Sequence, residues 1–139
     1  HPKFAFAASE HNADMLYATG FRAPDAFAML LKDDTLSLLL SDLEIDRARV
    51  EVPAANVTSY SALEKSAQGK RRRRPTTARV LAEFLRQHKA KKAVVPPDFP
   101  LGLAKSLRKE GIRLRPAKGD FFPEREIKSA KEVRALSAA

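Results

Sequence analysis

The stretch AFAMLLKDDTLSLLLSD, residues 26–42, constrains this chain more than any other. Two apolar runs, residues 26–31 and 36–40, flank the polar tetrad Lys32-Asp33-Asp34-Thr35. Aspartate tolerates the left-handed backbone and local hydrogen bonds of tight turns, so the pattern predicts a β-hairpin with the aspartates at its tip. Both runs are nearly continuous in apolar residues, whereas a strand with one wet face would alternate. The hairpin is therefore expected at the centre of a sheet covered on both sides.

The flanking segments supply the rest of such a sheet. KFAFAA, residues 3–8, predicts a short first strand. A short helix follows, with Ser9 or Asn12 as N-cap, Met15, Leu16 and Ala18 on its apolar side, and Gly20 just past its end. Beyond the hairpin, Ser41 or Asp42 opens a helix carrying Glu44 early. A strand is expected at 56–60 and an exposed loop at 66–75, where SAQGKRRRRP lacks apolar periodicity. Thr76 or Thr77 caps the next helix, whose Val80, Leu81, Phe84 and Leu85 share one face. The strand KKAVVPP, a helix ended by Gly111, and a strand with Ile112 and Leu114 on one face complete the series. Helix–strand–helix–strand alternation argues for parallel strands with right-handed crossovers. The fold class expected is α/β, a mixed five- to six-stranded sheet with helices on both faces.

Chemistry is sparser than structure. The 139 residues contain no cysteine, so disulfides and thiolate metal sites are excluded. Asp33 and Asp34 are adjacent on a turn and point apart. Asp42, Glu44 and Asp46 lie near a helix start, where the helix dipole favours them. His11 and Asp14 stand three apart on a helix but lack the third ligand that a catalytic zinc needs. His88 sits near a helix end, where a cation is favourable. The glycines show no phosphate-loop spacing, and no serine stands in a nucleophile elbow. No apolar run approaches the roughly 20 residues that span a bilayer, and no leader sequence is visible, so a cytoplasmic location without membrane contact is expected.

The formal net charge is +9, and five consecutive cations, Lys70, Arg71, Arg72, Arg73 and Arg74, form its densest patch. Such a loop suits nucleic acid or an acidic protein partner. No aromatic residue is interleaved with these cations, so the stacking on which single-strand binders rely is missing. The chain reads as a well-formed domain without an active site. It ends in FFPEREIKSAKEVRALSAA, whose last dozen residues have the pattern of an opening amphipathic helix.

Three places give this chain a family resemblance. NADMLYATGF matches Asn-x-x-x-x-Tyr-x-x-Gly-Phe through Asn12, Tyr17, Gly20 and Phe21. SDLEIDRAR follows the hairpin with an acidic residue and an arginine-bearing helix. PEREIKSAKEVRAL matches Arg-x-Ile-Lys-Ser-x-x-Glu-Val-x-x-Leu through Arg125, Ile127, Lys128, Ser129, Glu132, Val133 and Leu136. Together they resemble the N-terminal domain of the creatinase/prolidase/Xaa-Pro aminopeptidase family of metallopeptidases.

The resemblance implies that residues 1–124 form that domain. It makes 125–139 a junction helix leading into a separate C-terminal catalytic domain. That second domain would carry the divalent metal pair (manganese, cobalt or zinc), leaving this chain without a cofactor or catalytic residue. The implied partners are the chain's own catalytic domain, a second copy in a homodimer, and a peptide substrate in the parent protein. Phe21, Arg22 and Asp25, just after the Tyr-x-x-Gly motif, become pocket-facing candidates, with Arg22 as a bidentate donor to a substrate carboxylate. The residue 70–74 loop stands outside the family pattern. The family also includes non-enzymatic relatives, so the alternative is a basic binding module descended from one of them.

Overall fold

The computed structural model describes residues 1–124 of the chain. The junction residues Arg125, Ile127, Lys128, Glu132, Val133 and Leu136 lie outside the described residues.

The hairpin is the sheet's centre of gravity. Strand β2 (Phe27–Lys32) pairs antiparallel with β3 (Thr35–Leu40), with Lys32 opposite Thr35. A two-residue loop remains, and both of its residues have positive φ, +50° at Asp33 and +63° at Asp34. Positive φ at both central positions is what a type I′ hairpin turn requires. β1 (Lys3–Ala7) pairs antiparallel with β2 on its other side. β4 (Asn56–Ser59) runs parallel to β3, β5 (Lys92–Val95) parallel to β1, and β6 (Arg113–Pro116) parallel to β5. The six strands lie in the order β4-β3-β2-β1-β5-β6, so β2 alone is reversed.

Helices cover both faces. α3 (Tyr60–Gln68), α4 (Thr77–Gln87) and α5 (Leu101–Lys109) place Leu63, Phe84 and Leu107 in one core with Phe4, Leu30 and Leu39. α1 (Ala13–Thr19) and α2 (Asp42–Glu51) place Met15 and Ala48 in the other, with Met29, Leu38 and Leu40. The split between Leu38, Leu39 and Leu40 follows the two-residue period of a strand. The apolar run therefore fills both cores at once, as its continuity predicts.

Local rules set the helix ends. Asn12 is the N-cap of α1, its Oδ1 accepting from Met15 N at 3.0 Å. Thr76 caps α4 in the same way through Arg79 N. At the end of α5, Gly111 (φ +89°) donates to Arg108 O and Ile112 N donates to Leu107 O. That pairing is a Schellman motif, and its flanking Leu107 and Ile112 meet in the core.

One helix was not legible. The strand expected through residue 60 stops at Ser59, whose Oγ accepts from Ala62 N at 3.1 Å and caps α3. The loop expected over 66–75 accordingly begins only at Gly69. In α3, Tyr60, Leu63 and Ala67 fall three and four apart, but a single buried leucine among serines, Lys65 and Glu64 is a faint stripe.

The end of α4 departs from the expectation of a charged histidine. His88 lies edge-on to the Phe84 ring at 4.8 Å. The cation that serves this helix end is Lys32, whose ammonium donates to the carbonyls of His88 and Lys89 at 2.9 and 3.2 Å. Partial burial first, then the nearby Lys32 charge, lower the His88 pKa below its ordinary value of about 6.5. The unfolded chain therefore binds a proton that the folded one refuses. This contribution to stability is present above pH 6.5 and is lost as pH falls through the folded pKa. His88→Gln is expected to make the fall in stability between pH 7.5 and 5.5 shallower, read by urea unfolding at both values. An unchanged fall would assign the acid sensitivity to another group.

Candidate functional site

The face built on α1 and α2 brings the first two distinctive segments together, with Phe121 and Phe122 packed in the same core. Gly20, at φ +65°, ends α1 and turns the chain so that Phe21 enters the core, fully buried and edge-on to Phe27 at 5.9 Å. Two buried hydroxyls then hold the backbone. Ser9 Oγ donates to Phe21 O at 2.5 Å and accepts from Ala23 N at 2.7 Å. Thr19 Oγ1 donates to Met15 O at 2.7 Å and accepts from Phe21 N at 3.1 Å.

Arg47, on α2, closes this region from outside. Its guanidinium lies 4.0 Å from the Phe21 ring centroid and donates to Arg22 O at 2.7 Å. Glu44 and Glu51, one turn to either side, hold it by ion pairs. The arginine-bearing helix thus braces the turn that the Tyr-x-x-Gly-Phe motif makes. Tyr17, the motif's aromatic, packs its ring 5.4 Å from that of Phe122. Phe121 and Phe122 are both buried, and the Lys3 ammonium sits 4.4 Å from the Phe122 ring. The polypeptide approaching residue 125 is therefore anchored on the motif helix.

Of the pocket-facing candidates, Phe21 is a core residue whose ring is closed off beneath Arg47, whereas Arg22 and Asp25 are exposed on the loop. His11 is exposed, and Asp14 lies in the first turn of α1. Among the described residues no group of three or more His, Cys, Asp or Glu side chains could hold a metal ion. The residues described here do not fit the metal pair that the resemblance assigns to a second domain.

A separate cleft of about 330 Å3 opens where β1 and β3 end and β2 begins, with Phe6, Leu39 and Leu81 among its apolar residues. Asp42, Ser61, Glu64 and Arg74 supply its polar side. Asp42 accepts from Ser59 Oγ and Ser61 Oγ, both at 2.6 Å, and these two bonds hold its carboxyl below the usual carboxylate range. Arg74 pairs with Glu64 at 3.3 Å. The charges Asp42, Glu64 and Arg74 on the cleft wall are thus each paired or hydrogen-bonded. The other four cations of the basic run lie exposed on the loop between α3 and α4.

Sequence reasoning offered Ser9 only as a cap and Arg47 only as part of an arginine-bearing helix, and it gave Phe121 and Phe122 no role. Arg47 had a signal, because Glu44 and Glu51 flank it at helical spacings of three and four. Ser9 had none beyond its capping potential.

No protein-family model matches the sequence, and no curated protein matches it. Solved structures do. A Xaa-Pro aminopeptidase from Streptococcus pyogenes is 16% identical over 83% of this chain and 78% of its own, with a TM-score of 0.56. For X-Pro aminopeptidase from Thermotoga maritima the values are 14% identity and a TM-score of 0.58. The match covers 83% of this chain and only 30% of that protein. The N-terminal, creatinase/prolidase-like domain of a Corynebacterium diphtheriae protein is 14% identical over 86% of this chain and 84% of its own, with a TM-score of 0.52. Among the described residues no helix is long and apolar enough to cross a membrane. The mixed sheet, its two helical faces and these likenesses identify the fold as that of the creatinase/prolidase N-terminal domain.

Proposed function

We propose that residues 1–124 are the non-catalytic N-terminal domain of a Xaa-Pro aminopeptidase- or prolidase-type metallopeptidase, and that 125–139 connect it to a C-terminal catalytic domain. The observation that carries this is the contact between Tyr17 and Phe122. It ties the motif helix to the point where the chain enters the Arg125–Leu136 sequence pattern. The likeness to domains of the same extent supports the same reading.

In this function the domain contributes to dimerisation and to the wall of the substrate pocket. Arg22 pairs with the substrate carboxylate, and Asp25 borders it. Phe21 acts from beneath, as the buried anchor of the loop under Arg47. The metal pair and the bond-breaking groups belong to the second domain.

The test is a protein that continues the reading frame past Ala139. That frame is expected to supply two Asp, one His and two Glu ligands in order, and to hydrolyse Xaa-Pro peptides with manganese, cobalt or zinc. Residues 1–139 alone are expected to give no turnover. In the longer protein, Arg22→Ala should raise KM roughly 10- to 100-fold, the worth of a charge-assisted hydrogen bond. Metal-dependent turnover by residues 1–139, abolished at His11 or Asp14, would overturn the proposal. A continuing frame without the five ligands would favour a non-enzymatic relative.

A further inference from the structure

The five-cation run belongs to no part of that function, and its structure is more ordered than its composition suggests. Gly69, at φ +56°, ends α3. The Gln68 side-chain amide then donates to Arg71 O at 3.0 Å, and Arg71 N donates to Gln68 O at 3.0 Å. Pro75 and the Thr76 cap fix the other end. The link is a folded turn whose backbone is held at both ends and whose arginines are exposed.

Arg71, Arg73 and Arg74 line a groove of about 340 Å3 between this turn, the first turn of α4 and the end of α5. Arg79 of α4 adds a fourth guanidinium, and Glu110 is the carboxylate on its wall. Glu110 is already engaged, since its carboxylate and carbonyl both accept from Arg86. Arg74 has Glu64. Among the described residues, Arg71, Arg73 and Arg79 have no carboxylate partner. Four cations on one small concavity repel one another, and a bound anion relieves that repulsion.

We propose that this groove binds a compact polyphosphate group, the diphosphate or triphosphate moiety of a small molecule. Guanidinium forks match phosphate oxygens bidentately. The choice among anions follows from charge density. A triphosphate concentrates three to four negative charges within one small groove. In an extended acidic peptide successive carboxylates point to opposite sides, so those on one face stand about 6.6 Å apart and few would come inside. No aromatic ring lines the groove, so nothing there stacks on a base. A nucleoside triphosphate and bare tripolyphosphate should therefore bind alike. The inference stands apart from the peptidase function, and neither depends on the other.

Tripolyphosphate titrated into the chain at 50 mM salt, followed by calorimetry and amide chemical shifts, tests it. A saturable one-to-one isotherm is expected, with shifts at residues 68–79. Arg71→Ser/Arg73→Ser/Arg79→Ser should weaken binding at least tenfold. Lys91→Ser/Lys105→Ser/Lys118→Ser removes the same charge from positions elsewhere and should cost less than threefold. Arg71→Lys/Arg73→Lys keeps both the charge and the surface, and should still weaken binding severalfold by removing two forks. Adenosine triphosphate should bind within threefold of tripolyphosphate. Four results would overturn the proposal: binding no tighter than that of sulfate, equal losses in the two triple variants, a nucleotide preference above tenfold, or tighter binding of hexaglutamate or a single-stranded oligonucleotide.

Discussion

Phe84→Ala is expected to lower the free energy of unfolding by about 3–5 kcal/mol, the usual cost of removing a fully buried phenylalanine. Phe84 has no exposed surface and stands in the core between α4 and the sheet, beside Leu81 and Leu85, which are equally buried. Truncation loses the transfer energy of the ring and leaves a cavity that three packed helices and a sheet cannot collapse. A domain of this size has about 5–15 kcal/mol in total, so this one change removes a large share. Urea unfolding gives the value, and Leu43→Ala and Val50→Ala are the controls. Those two side chains on α2 are 94% and 81% exposed, and their truncation should change stability by less than about 0.5 kcal/mol. A loss below about 1 kcal/mol at Phe84 would mean that α4 does not dock on the sheet as described.

The contrast between Phe84 and Leu43 also marks how far the sequence can be read. Phe84 lies in a helix whose apolar residues recur on one face, so its burial was legible from spacing alone. The hairpin was legible for a stronger reason. Unbroken apolar runs around an aspartate turn leave few other structures, and the alternating segments after it point to a mixed α/β sheet of five to six strands, of which the structure has six. Leu43 and Val50 are apolar too, but they sit seven apart on a helix that turns Ala48 and Ile45 inward instead. Residue type did not indicate which face of α2 turns inward; the contacts of Arg47 with the Phe21 ring and Arg22 O do.

The same limit applies at the site. Asn12, Tyr17, Gly20 and Phe21 were recognisable as a pattern, and each does something local and physical, as a cap, a ring contact, a left-handed turn and a core anchor. Their convergence with Arg47 and Phe122 depends on contacts 26 to 105 positions apart in sequence. No periodicity within a single segment reports contacts of that kind. Phe21, expected beside a pocket, is buried because the left-handed turn at Gly20 sends its ring inward, leaving Arg22 as the exposed neighbour.

Ser9→Ala is expected to cost about 1–3 kcal/mol, because it removes one small hydroxyl, orphans the Ala23 amide and leaves Phe21 O only the long 3.4 Å bond from Thr19 Oγ1. Ser9 is 2% exposed, and its oxygen bridges Phe21 O and Ala23 N across the base of the loop that carries Arg22 and Asp25. Alanine fills nearly the same space, so cavity formation contributes little and the loss reads out the hydrogen bonds. Water cannot replace them without opening the cover made by Phe21 and Arg47. The Ala23 amide should therefore exchange with solvent at least tenfold faster in Ser9→Ala, while amides of α4 change only by the global loss of stability. Thr19→Val, which removes the second hydroxyl, should release the Phe21 amide in the same way. If Ser9→Ala leaves both stability and Ala23 protection intact, the remaining bond from Glu10 N to Ala23 O is sufficient to hold the loop. Arg22 would then owe its position to that bond and to Arg47, and the buried serine would be a passive filler.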